Sequence, residues 1–331
     1  MLSLAPVVIA RKSGDHGEPT NLALPRPYNN LGVPAATAFD ALETVNGGGR
    51  FYDVILRGLG SQVTQALALN PTFITVWIGD SDVSPAALAG RAIDGVTLTP
   101  VASFRQNYAQ LISTLAATGA RIVAANIGDP MTIPFVGTIK PYVVDPATGQ
   151  PVLVNGQTVP LLGPQGPLSA DARVTLNASS LLAQGVGIPR ALGGTGEPLP
   201  DEVVLDPGEI AVIRDHLDQD NQAIADICGL AGVPVVDLKR VYDAAAQGGF
   251  DIGGIRVSAD YLTGGFFGYD GLHPTDLGYA IMANEWISVI DDNGGSLPLV
   301  DLGPFLGTSA ASAIGGAKPI GPILFSDAAV R

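Results

Sequence analysis

Only one cysteine, Cys228, occurs in the 331 residues, so neither an internal disulfide nor a thiolate metal cluster can form. It sits in QAIADICGL at the end of a helical pattern, which points to a buried structural thiol. Positive charge is also scarce. The chain has 17 Lys and Arg against 31 Asp and Glu, a net charge of -14, and no basic cluster. Such a surface repels phosphate, which argues against nucleic-acid binding, and it does not favour docking on anionic lipid. Long apolar runs are missing too, because no window reaches the roughly 18 uninterrupted residues of a membrane span. The opening MLSLAPVVIARKSGDHGEP lacks the layout of a signal peptide: its apolar run is short, and Arg11 and Lys12 follow it instead of preceding it. Export of the parent protein stays open, and oligomeric state is not readable.

A hydrophobic share of 47% beside 15% charged residues can build a sizeable core. The length suits one large α/β domain with an insertion, or two modest domains. FITVWI at 73–78 is continuously apolar, β-branched and aromatic, as a strand covered on both faces would be. Thr99-Pro100 reads as a helix cap followed by an N1 proline, and the helix runs to Gly119. RIVAAN at 121–126 is the next buried strand, so strand, helix and strand form a βαβ unit with parallel pairing. Shorter helical patterns lie at 35–44 and 59–69.

Residues 137–200 break this rhythm. The turn signals ATGQ and VNGQ between β-rich pieces predict a hairpin excursion, and a short helix is expected at 177–184. We read the segment as an insertion over one edge of the domain or over its site. Asp206-Pro207-Gly208-Glu209 then forms a capping-box start for a helix to about 227, and VPVVDL at 233–238 is a third parallel-type strand. The domain is expected to span 1–292, and 293–331 forms a tail rich in Gly, Pro and Ala.

Asp270-Gly271-Leu272-His273-Pro274 is the sharpest chemical signal. Only three histidines exist, and this one follows an aspartate by three residues just before a helix. An imidazole that shuttles a proton needs a carboxylate to fix its tautomer, and one loop can supply both. Taken alone, the pair could equally be a capping aspartate beside a loop histidine. His16 and His216 fall in polar stretches and read as surface residues, whereas Trp77, Tyr108 and Trp286 fall in apolar patterns and read as core or helix-packing residues. Asp80 and Asp82 could meet a cation, although two carboxylates are a poor ligand set, and Asp82 is expected to bond backbone amides and hold its loop. Asn126 and Asp129 end a strand where pocket walls form. The run Phe266-Phe267-Gly268-Tyr269 either lines an acyl pocket or pins its loop.

D-G-L-H-P-T followed by D-L-G-Y and an apolar helix resembles the last block of the SGNH (GDSL-type lipase/esterase) hydrolases. PYNNLGVPAAT at 27–37 resembles their second block, and NPTFITVWIGDSD at 70–82 resembles their third. The resemblance covers most of residues 27–290. It implies a three-layer α/β/α, flavodoxin-like domain with a mostly parallel sheet, and a serine-type hydrolase acting on small acyl esters without metal or organic cofactor. By resemblance, His273 would be the general base and Asp270 its orienting carboxylate. The Gly32 amide and the Ser81 hydroxyl would stabilise the oxyanion.

Two features depart from the family pattern. No Gly-Asp-Ser-Leu block precedes Gly32, and Ser3 and Ser13 follow no buried strand. The first strand and its nucleophile are therefore expected to be missing, which would leave this chain inactive as written. The second departure is Ser81, which stands where the family has asparagine. Gly79-Asp80-Ser81 itself spells the nucleophile motif, so Ser81 can be read as an oxyanion donor, a neutral replacement or the nucleophile. A catalytically silent relative that binds acyl or carbohydrate ligands is the alternative reading of the whole chain.

Overall fold

A computed structural model describes residues 10–11, 21–46, 50–306 and 324–325. Ser3, Ser13 and His16 lie outside the described residues, as does most of the tail beyond 306. The centre is a parallel sheet of three strands, β1 (Phe73–Val76), β2 (Arg121–Ala125) and β3 (Val235–Val236), with β2 in the middle. Phe73 pairs with Arg121, Val76 with Ala124, and Val236 with Ala125.

The helices form where cap chemistry and apolar spacing agree. They are α1 (Ala38–Glu43), α2 (Asp80–Leu88), α3 (Val101–Ala116), α4 (Pro207–Ala231), α5 (Leu238–Gln247) and α6 (Asp276–Asp292). Helix α3 buries Phe104, Tyr108, Leu111, Ile112 and Leu115, a stripe at three- and four-residue spacing, against α4. The expected capping box opens α4, with the Asp206 side chain accepting from the Glu209 amide and the Glu209 side chain accepting from the Asp206 amide. Cys228 is buried at the inner face of α4, 3.9 Å from the Tyr108 hydroxyl, in keeping with a structural thiol.

Two local expectations change. Helix α3 is capped by Pro100 without a side-chain bond, and Thr99 instead turns to Asp82, its amide donating to the Asp82 carbonyl at 2.9 Å and its hydroxyl to the Asp82 carboxylate. The strand at 73–78 is not covered on both faces: Phe73 is 42% exposed and Trp77 39%, so Trp77 is not a core residue. The reason lies in the sheet order. Among the described residues β1 is an edge strand, hydrogen-bonded only to β2, with Val76 buried and Ile74 and Ile78 partly buried against the core while Phe73 stays open. An apolar, β-branched run records a preference for burial that this edge leaves partly unmet.

The insertion has a hydrophobic cluster of its own, built on Val143, Leu161, Val174, Leu199, Val203 and Val204. Its Leu153–Thr158 hairpin turns at Asn155-Gly156, both with positive φ, as the VNGQ signal predicts. At its base, Arg173–Val174 pairs antiparallel with Val204–Leu205. Where the tail is described, Asn284 of α6 holds it by bonding both the amide and the carbonyl of Val300.

Candidate active site

The carboxyl ends of the strands gather the polar residues. Strand β1 runs into Gly79, the N-cap of α2, at φ +124. A Cβ there would lie 2.8 Å from Ile127 and 3.2 Å from Phe104, so only glycine permits this strand-to-helix turn. Asp80 and Ser81 begin α2. Burial pushes the Asp80 carboxyl up to about 6, against hydrogen bonds from the Trp77 side chain and the Gly128 amide. Asp82 is buried and accepts from the Ala38 amide at 2.9 Å, at the first residue of α1. That bond ties the Gly32 segment to the end of β1, the loop-holding role expected for Asp82.

The Gly32 segment is further held by a residue with no sequence signal. Arg57 donates to the carbonyls of Leu24 (2.6 Å) and Arg26 (2.7 Å), and its guanidinium lies 3.9 Å from the Tyr28 ring centroid. Gly32 itself is exposed, and its amide donates to Asn30 Oδ1 at 3.0 Å.

The loop before α6 carries Asp270 and His273. His273 Nδ1 donates to Asp270 Oδ2 at 2.6 Å, while Asp270 Oδ1 accepts from the Leu272 and His273 amides at 2.9 and 3.0 Å. Burial works to raise the Asp270 carboxyl, but the His273 bond and the two amides together hold it below its usual range. The bond to Asp270 raises the His273 imidazole above its ordinary value, against burial. The imidazole side chain is 67% exposed, and Nε2 bonds to no described residue.

Behind the loop, Phe266 and Phe267 are buried in a ring cluster with Tyr242 and Phe250. These two phenylalanines therefore pin the loop, and Tyr269 alone of that run is exposed. Tyr279 stands at the rim, its hydroxyl raised by burial and then by the charges of Asp270 and Asp80, which places it near both.

The structure thus brings Asp270 and His273 together. No hydrogen bond joins Gly32 or Ser81 to that pair among the described residues, and the Ser81 hydroxyl bonds nothing there. Asn126 and Asp129 act locally. Asn126 donates to Asp237 Oδ1 (2.8 Å) and accepts from the Lys239 amide (2.9 Å), which joins the ends of β2 and β3. Asp129 accepts from the Met131 amide at 2.7 Å. His216 is a correction. Its side chain is only 14% exposed, with Nδ1 3.2 Å from the Val212 carbonyl and Nε2 3.4 Å from Asp94. The Asp94 loop covers the imidazole, a contact that the polar sequence around it does not reveal. Among the described residues no group of three or more His, Cys, Asp or Glu is placed to hold a metal.

Two polar residues of α4 carry no pattern signal. Asn221 bonds both the amide and the carbonyl of Ile127, at 2.8 and 3.0 Å, fixing the chain just past β2. Asp220 is fully buried with both carboxylate oxygens unpartnered, and burial, then the charge of Asp82, pushes it up to about 8.

A half-buried carboxylate bonded to an open imidazole, at the end of a parallel α/β sheet, is an arrangement found in a recognisable class of hydrolases. Residues 9–286 match the GDSL-like Lipase/Acylhydrolase family, and the chain belongs to it. The match includes the Gly32 segment, Gly79–Asp82 and the Asp270–His273 loop. Curated proteins yield no match to the chain. The family is one of lipases and acylhydrolases, so membership supports hydrolysis of ester bonds in general. No helix among the described residues is long and apolar enough to cross a membrane.

Proposed function

We propose that this chain is a serine-type carboxylic ester hydrolase whose general base is His273, oriented by Asp270. The observation that carries the reading is the 2.6 Å bond from Nδ1 to Asp270, which leaves Nε2 open at the carboxyl end of the sheet. In the reaction, Nε2 takes the proton of a serine hydroxyl as its oxygen bonds the ester carbon. The imidazolium then returns that proton to the departing alkoxide, and water repeats the cycle to free the acid. The carbonyl oxygen gathers negative charge in between. The Gly32 amide and the Ser81 hydroxyl are the donors we assign to it, and Gly32 must exchange its Asn30 acceptor for the oxyanion.

In this reading the nucleophile is a serine outside the described residues, on a further parallel strand along the open edge of β1, within a three-layer α/β/α domain. The partly exposed apolar face of that edge supports it. A second reading, a silent relative that keeps the pocket for acyl or carbohydrate ligands, is favoured by the Gly32–Asn30 bond, which occupies the amide an oxyanion would need.

Labelling the 331-residue chain with a fluorophosphonate, followed by peptide mass spectrometry and p-nitrophenyl ester assays, tests both. A label on Ser81 would make it the nucleophile and overturn its oxyanion role. No label and no turnover would support the silent reading for this chain.

A further inference from the structure

The root of the insertion touches the catalytic loop. The Phe135 amide, in the short helix Pro134–Gly137 that opens the insertion, donates to the carbonyl of Gly271 at 2.9 Å. Gly271 lies between Asp270 and His273 at φ +67, and a Cβ there would stand 2.9 Å from the Phe135 nitrogen and 3.0 Å from Leu176 Cδ1. Leu176 leads the short helical turn after the strand Arg173–Val174, which closes the base of the insertion. Elsewhere the loop is held by its own turn, the Gly268 amide donating to the His273 carbonyl at 2.7 Å and the Gly271 amide to the Gly268 carbonyl at 3.0 Å. It is also held by the Tyr261 hydroxyl on the Tyr269 carbonyl at 2.7 Å, and by Phe266 and Phe267 packed on Tyr242 and Phe250. At Gly271 this turn has an outer bracket of one amide from the helix that leads into the insertion and one aliphatic side chain from the insertion itself.

We infer that Phe135 and Leu176 are positioning residues, through which the insertion sets the orientation of the His273 imidazole. This rests on the reading of His273 as general base but goes beyond it. It makes the insertion part of the proton-transfer apparatus as well as a wall beside it. The physical basis is close packing. A Leu176 methyl sits against a glycine with no side chain to fill a gap, so truncating it opens space behind the Asp270–His273 turn. A loop free to shift loses alignment of a short charge-assisted hydrogen bond, whose strength depends steeply on geometry.

NMR titration of the His273 ring protons in the 331-residue chain tests this without requiring any turnover. Leu176→Ala is expected to bring the raised His273 titration down toward the ordinary imidazole value of about 6.5. Leu176→Met should restore it. Leu181→Ala, which removes equal bulk from the insertion's own cluster, should leave it unchanged. Leu176→Val is the milder variant if Leu176→Ala does not fold, as judged by circular dichroism. An unshifted His273 titration in a folded Leu176 variant overturns the inference, as does an equal shift from Leu181→Ala. Failure of the hydrolase reading would appear separately, as no esterase activity with the wild-type titration still raised.

Discussion

Two carboxylates, Asp270 half-buried and Asp220 fully buried, show opposite behaviour. Asp270, in the loop before α6, accepts two amides and an imidazole, and its carboxyl is held below the usual range. Asp220, on the inner face of α4, has no donor on either oxygen and is pushed up to about 8. Burial acts in the same direction on both, and the difference comes from the donors around them. An acid ionised at neutral pH inside a protein needs hydrogen bonds to the charged form. An acid without them remains protonated. The loop before α6 is thus electrostatically complete, whereas the α2–α4 interface holds an unmet polar demand at Asp220.

The largest expected effect breaks the complete side. In a form of the protein that turns over p-nitrophenyl butyrate, His273→Ala should lower that turnover by about 10³-fold, because proton transfer by a positioned base contributes on that scale. A variant retaining parental turnover would remove His273 from the mechanism. Asp270→Asn should cost about 10²-fold or more and should also lower the His273 titration, measured by NMR, because the bond that raises it is weakened. The base must be neutral to accept a proton, so turnover in the parent should rise with pH through the raised His273 value. In Asp270→Asn this rise should move to lower pH.

The incomplete side gives a stability effect of opposite sign to the usual carboxylate. Asp220 has a folded value of about 8, far above the roughly 3.9 of an unfolded chain. Its contribution to stability is fully present below about pH 4 and is lost as pH rises toward 8. Asp220→Asn removes that loss. Thermal melts of variant and parent should differ little near pH 4 and diverge toward pH 8, with the variant more stable by on the order of 4 kcal/mol at pH 7. Parallel melts at both pH values would show that Asp220 finds a donor in solution. The smallest effect is at Thr175, fully buried beside Leu176 with an unpartnered hydroxyl. Thr175→Val should be neutral or stabilising by up to about 1 kcal/mol in denaturant melts, because it removes an unmet hydrogen-bonding group at similar volume.

The Asp270–His273 pair was legible as letters because both members come from one short loop and need only a turn to meet. The capping box of α4 and the Asn155-Gly156 hairpin were legible for the same reason, since their partners are close in sequence. Periodicity marked α3 and β2 correctly, and both are covered as their patterns imply. Strand β1 carries an equally clear pattern, yet its exposure depends on which strands flank it, and no residue of β1 encodes that.

What the sequence determined by itself is therefore local: caps, turns, the apolar stripes of the helices, and a carboxylate three residues from an imidazole. Tertiary structure alone decided the contacts between distant segments. It set Asp82 on the Ala38 amide, Arg57 over Tyr28, Asn221 on Ile127 and Leu176 behind Gly271. The same packing left Asp220 without a donor and His273 with an open Nε2. The physical reason is that a hydrogen bond or a packed methyl depends on distance in space. A one-dimensional pattern reports that distance only where the partners lie within a few residues of each other.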